Sequence, residues 1–222
     1  MDDAAKAAAV TDAPPHPYIM DFSKGEAVTL VVGEEKHEML VHANCITSNS
    51  EFFKTALKKE WPEGQTRTIT MPVDDPKTLR HYLYFTYSEK LPTTHIAVPI
   101  ARELVRASTV DLARLYILGG RLLDDVVRKA VIEELIRIPQ LTKTYPGQLA
   151  VSIIYEGTPE GDPARKLLVN TYAVNARSEW VHTGYNPVFL LDLAQEFLRK
   201  AEKDVSPQNF RKRKLMASDY WT

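Results

Sequence analysis

Residues 28–57 read VTLVVGEEKHEMLVHANCITSNSEFFKTAL, and the succession of patterns inside that stretch decides the fold. Val28-Thr29-Leu30-Val31-Val32 is a β-branched apolar run closed by Gly33, Glu34 and Glu35, which reads as a strand ending in a short turn. His37, Met39 and Val41 then alternate with Lys36, Glu38 and Leu40, the period of two expected of a strand with one buried face. The two strands make a β-hairpin. After His42 the spacing turns helical, with Ile46 in a first helix. Phe52, Phe53, Ala56 and Leu57 share one face of a second, for which Ser48 or Asn49 is the expected cap.

Further along, Pro62 and Gly64 interrupt the helical pattern. Arg67 to Met71 then reads as a third strand with Ile69 and Met71 facing inward. In Met71-Pro72-Val73-Asp74-Asp75-Pro76, Asp75 can accept from free backbone donors and Pro76 fits the first turn of a helix. That helix runs through Leu79, Tyr82, Leu83 and Phe85. Beyond Leu91 the reading is almost wholly helical, with a joint marked by Pro92 and Pro99. Leu112 to Leu118 predicts a short helix stopped by Gly119-Gly120 in the left-handed end position. Leu123, Val126, Val127, Ala130, Val131, Leu135 and Ile138 keep a three-four spacing and predict a long amphipathic helix. Gln148 to Tyr155, Ala164 to about Ala176, and Pro187 to about Ala201 complete the helical stretches.

The chain has 222 residues, enough for one core and a smaller second unit. A hydrophobic fraction of 44% and a charged fraction of 26% indicate a folded globular protein. The formal net charge of -1 argues against the strongly basic surface of a nucleic-acid binder. The single cysteine, Cys45, excludes an intramolecular disulfide and a cysteine-rich zinc module, which suits a reducing compartment. Asp2 and Asp3 give the first twenty residues the wrong charge order for a secretory signal, and no apolar run approaches a membrane span. The expected location is the cytoplasm, the nucleus or both. Met1 to Pro17, small, polar and proline-punctuated, reads as a loose arm.

The order strand, strand, helix pair, strand, helix resembles the BTB/POZ domain from about Asp21 to Leu91. The carrying residues are Val28-x-Leu30-Val31-Val32-Gly33, Leu40-Val41-His42-Ala43 and Ser48-x-x-x-Phe52-Phe53-Lys54-x-Ala56-Leu57. Trp61-Pro62-Glu63, Ile69-x-Met71-Pro72, Asp74-Asp75-Pro76 and Tyr82-x-x-Phe85-x-Tyr87-Ser88 follow in order. The remainder is similar to the helical extension of BTB proteins of filamentous fungi. It carries Leu115-Tyr116-Ile117-Leu118-Gly119, Leu122-Leu123-Asp124-Asp125, and Tyr155-Glu156-Gly157-Thr158-Pro159-Glu160-Gly161-Asp162-Pro163 ahead of Arg165 and Leu167-Leu168.

The resemblance implies an α+β fold, a small mainly antiparallel sheet flanked by helices, followed by an all-helical extension. The organisation expected is an arm over 1–20, the BTB/POZ core over 21–92, helices completing it over 93–140, a C-terminal extension over 141–205, and a basic flexible tail over 206–222. The implied role is non-catalytic protein association, often as an adaptor that brings a substrate to a cullin ubiquitin ligase. A scaffold without ligase duty, or a nuclear transcription cofactor, is the alternative. Dimeric members begin with an exchanged strand and apolar helix, whereas a proline-rich arm precedes Asp21 here. Exchange dimerisation is therefore not expected, while self-association through another surface stays open. Repressor-type members carry a charged pocket where this chain holds Ala27 and Asn44, so co-repressor recruitment is not expected.

Trp61 and Glu63 occupy the place of the family's hydrophobic-x-Glu cullin-binding motif, an aromatic anchor with a carboxylate at its edge. Cullin three is the leading candidate partner. The bland reading packs Trp61 onto the helix of Leu57 and leaves Glu63 solvated. Arg211, Lys212, Arg213 and Lys214 form a short basic run that suits nuclear import, or merely solvates a tail. His37, His42 and Cys45 are near one another in sequence, but a strand separates the two histidines and no metal site is assigned. Asp74-Asp75 and Asp124-Asp125 stand at helix starts, where carboxylates meet a favourable dipole, and are not read as catalytic pairs. With no nucleophile elbow and no phosphate-cradling glycine loop, neither a catalytic residue nor a cofactor is assigned.

Overall fold

The computed structural model describes residues 25–93 and 101–204. The expected arm over 1–20, the tail with Arg211 to Lys214, and Pro99 lie outside the described residues.

The apolar run becomes β1, Ala27–Val32, in which Val28, Leu30 and Val32 are fully buried and the residues between them only partly so. It pairs antiparallel with β2, His37–His42, Leu30 standing opposite Met39. In the intervening turn Gly33 takes φ 74° and the Lys36 N–H donates to the Gly33 carbonyl at 3.1 Å. β2 buries Val41 and half-buries Met39, and Leu40 points outward. β3, Thr68–Met71, runs parallel to β1 on its other edge, with Ile69 opposite Leu30, so the sheet order is β2-β1-β3.

Between β2 and β3 lie α1, Ala43–Thr47, α2, Glu51–Ala56, and α3, Pro62–Thr66. The cap of α2 is Ser50, rather than the expected Ser48 or Asn49. Ser48 Oγ instead closes α1 by donating to the Cys45 carbonyl at 2.7 Å. The start of α4, Pro76–Ser88, is as expected: the Asp75 carboxylate accepts from the Lys77 and Thr78 amides. Phe53, Leu79, Tyr82 and Phe85 join the inner residues of all three strands in one buried cluster. Phe52, one position away, turns outward.

The helix expected over Leu112 to Leu118 is longer. α5 spans Arg102–Arg121, and Gly119 lies inside it. A Cβ on Gly119 would stand 2.6 Å from Val127 Cγ1, so glycine is there for the close approach of α6, Asp125–Thr142. The left-handed stop falls on Leu123, φ 53°. Its amide donates to the Gly120 carbonyl at 3.2 Å and that of Asp124 to Gly119 at 2.9 Å, the paired bonds of a Schellman end. α6 starts at Asp125 rather than Leu123 and continues one turn past Ile138, through Pro139. α7, Gln148–Gly157, α8, Pro163–Asn175, a 3-10 turn at Ser178–Trp180, and α9, Pro187–Asp204, follow. α5 packs against α4, α6 and α7, and the buried cluster continues without a break to Phe189 and Leu193. Among the described residues no helix is long and apolar enough to cross a membrane.

Candidate protein-interaction surface

The Trp61-Pro62-Glu63 stretch is held by its backbone. The Trp61 amide donates to the Lys58 carbonyl at 3.0 Å, and the Trp61 carbonyl accepts from Gly64 and Gln65, opening α3 with Pro62 in its first turn. Gly64 is buried so tightly on this turn that a Cβ would stand 2.1 Å from the Lys58 carbonyl oxygen, which only glycine allows. Gln65 Nε2 donates to the Lys59 carbonyl at 3.1 Å and tightens the same loop. Arg67 ends α3 in the left-handed region, and its guanidinium pairs with Glu26 beside β1. On this fixed frame Trp61 leaves 52% of its surface exposed, and Glu63 is half-buried in the first turn of α3. The motif is thus a short helix entrance rather than a loose loop.

A second apolar patch arises where α2 meets the α5–α6 turn. The Glu51 and Phe52 amides donate to the Leu123 and Leu122 carbonyls at 3.4 and 3.3 Å, which brings the exposed side chains of Phe52 and Leu123 to the same edge. Beneath lies a polar hub that sequence reading did not find. Ser50 Oγ donates to the Leu122 carbonyl at 2.6 Å, and the Tyr82 hydroxyl donates to Asp124 Oδ2 at 2.9 Å. Asp124 also caps α6 by accepting from Val126 and Val127. Burial, then the Asp124 charge, holds the Tyr82 phenol far above the usual tyrosine range. Only the capping half of this role is visible in sequence, because the Tyr82–Asp124 contact spans 42 positions.

The remaining residues singled out above are accounted for locally. His37 pairs with Glu35 at 3.1 Å at one end of β2, and His42 Nδ1 lies 2.9 Å from the Tyr87 hydroxyl at the other. Cys45 is buried; burial pushes its thiol up, while a hydrogen bond with Tyr87 works the other way. Among the described residues no group of three metal-ligating side chains is assembled. Asp74 turns to Arg121 while Asp75 caps α4, and Asp125 turns to Arg128 at 3.2 Å while Asp124 caps α6, so neither carboxylate pair converges. Asn44 accepts from the Cys45 amide at 3.0 Å, and Ala27 is exposed.

Two Arg-Tyr-Asp groups lock the extension. Arg128 stands 4.7 Å over the Tyr116 ring and donates to Asp162 Oδ2 at 2.8 Å, and Tyr116 donates to Asp162 Oδ1 at 2.8 Å. Arg165 stands 4.6 Å over Tyr155, whose hydroxyl donates to Asp192 at 2.8 Å. Asp162 caps α8, so the Tyr155 to Pro163 stretch serves as an anchored corner between α7 and α8.

Residues 23–111 match the family model of the BTB/POZ domain. No curated protein shows a significant match to the chain. The match spans the three-stranded sheet and its helices and ends inside α5. The chain therefore carries a BTB/POZ domain over residues 23–111, followed by further helices.

Proposed function

We propose that this protein is an adaptor whose BTB domain docks onto a cullin, cullin three first, through Trp61 and Glu63, in the cytoplasm, the nucleus or both. A BTB domain in general serves protein association, which gives the chain protein partners. The observation that carries the finer reading is the half-exposed indole of Trp61 on a backbone fixed by the Lys58 carbonyl and Gly64. An aromatic anchor already held in place loses little conformational freedom on docking, and such residues dominate interface energetics. The Phe52 and Leu123 patch supplies apolar area around the α5–α6 turn. Isothermal titration of the full chain with the purified cullin is the test. Trp61→Ala should weaken binding by about 2 kcal/mol, roughly thirtyfold, with the melting curve unchanged. Equal affinities for the two proteins would remove Trp61 as the anchor, and no binding by either would leave a scaffold without ligase duty as the function.

A further inference from the structure

A cleft lies on the helical extension, away from Trp61, with a volume of about 620 Å³, within the range of ligand-binding sites. Its floor is aromatic. Tyr172 and Tyr185 are buried with their rings 5.7 Å apart and their hydroxyls 2.9 Å apart, and the Tyr172 hydroxyl donates to the Pro146 carbonyl at 2.6 Å. One wall is the ring pair Tyr145 and Trp180, 5.6 Å between centroids. Tyr145 is steadied by its hydroxyl, 3.0 Å from Asn175 Oδ1.

The rim is cationic. Arg102 and Arg106 stand one turn apart on the first two turns of α5, and Lys143, φ 54°, ends α6 beside them. None of the three forms an ion pair with the described residues, whereas Arg121, Arg128 and Arg137 are each neutralised by a carboxylate. The single carboxylate on the lining, Glu179, faces Arg177 at 4.0 Å. Three exposed cations over one cleft, with no carboxylate partner among the described residues, in a chain whose formal net charge is -1, are a local concentration of charge that suits an anionic counterpart. They come from two elements and overlook an open aromatic trough. That spread suits charges strung along an extended chain more than one compact anion.

We infer that this cleft binds a short acidic peptide segment bearing an aromatic side chain, with the peptide's carboxylates on Arg102, Arg106 and Lys143 and its ring against Tyr145 and Trp180. The inference rests on the adaptor reading and supplies the chemistry of the client that the helical extension would hold.

The probe is a fluorescein-labelled random copolymer of glutamate and tyrosine, titrated into the full chain by anisotropy. Saturable binding is expected, weakened at least about tenfold in the double variant R102E/R106E and about fivefold or more by Trp180→Ala. Raising the salt should also weaken it. Arg102 and Arg106 are exposed, so the double variant should keep the parent's circular dichroism spectrum. Unchanged affinity in R102E/R106E, or no binding by the parent, would overturn the inference. Equal binding of a glutamate homopolymer or of single-stranded poly(U) would also overturn it, reporting bare charge attraction. Trp61→Ala should leave copolymer binding intact. Failure of the parent chain to bind the cullin, with copolymer binding intact, therefore sinks the docking assignment alone, and cullin binding without copolymer binding sinks the cleft alone.

Discussion

Leu123 sits in the left-handed region with 62% of its surface in water. A side chain there costs about 1–2 kcal/mol that glycine does not incur, while glycine costs more chain entropy on folding. Leu123→Gly should therefore raise stability by roughly 0.5 kcal/mol, read from urea unfolding midpoints; a clear loss would mean that the Phe52 edge depends on the leucine. His81 gives a pH signature. Burial first, offset by Asp111 and Asp75 and reinforced by Lys77 and Arg80, holds its imidazole below the ordinary histidine range. The unfolded chain then binds the extra proton, so stability is present above the unfolded value near pH 6.5 and is lost as pH falls below it. His81→Gln should flatten the slope of unfolding free energy between about pH 7 and 5.

At the scale of elements, two adjacent glycines in α5 behave oppositely. A Cβ on Gly119 meets Val127 Cγ1 at 2.6 Å, whereas one on Gly120 has only Arg128 Nε, at 3.9 Å. Gly119→Ala should cost about 1–3 kcal/mol through overpacking, and Gly120→Ala should add up to about 1 kcal/mol through helix propensity, both measured by chemical denaturation. The same pair shows where sequence reading stops. Glycines after an apolar run look like a helix stop, because their steric use against another helix depends on a contact that only the fold creates. The first turns of α5 escaped notice because their buried face carries Thr109 between Val105 and Leu112, which breaks the apolar period, and Leu104 faces outward. The hairpin, α2 and α4 were legible because their alternation, apolar face and Asp75 cap are local signals. Ser50 was not separable from Ser48 and Asn49, since what selects it is the carbonyl of Leu122, 72 positions away. Of the proposed interaction surface, Trp61 and Glu63 stood out by their motif. The cleft did not, because its cations and rings come from segments scattered between Arg102 and Tyr185.

Over the whole molecule, the buried cluster passes from the sheet to α9 without a seam. Its tyrosines act as a shared alkaline lock. Burial and the neighbouring Asp162 carboxylate push the Tyr116 phenol up to about 12, and burial likewise raises Tyr82, Tyr155 and Tyr172. A raised folded value means that the stabilisation is complete below the unfolded value near pH 10 and is lost as pH climbs through the folded values. Titration by tyrosinate absorbance should show these phenols ionising together with the loss of helical circular dichroism, and exposed tyrosines ionising earlier.

α5 carries a geometric consequence. Its first turns line the cleft, the residues just after its end, Leu122 and Leu123, meet α2 at the BTB edge, and twenty residues of helix measure about 30 Å. Because that rod is wedged between α4, α6 and α7, a molecule seated at one end cannot drift relative to one seated at the other. With both proposed sites occupied, the helix would work as a ruler, presenting two guests at a set separation and leaving any search for the right reach to the guests themselves.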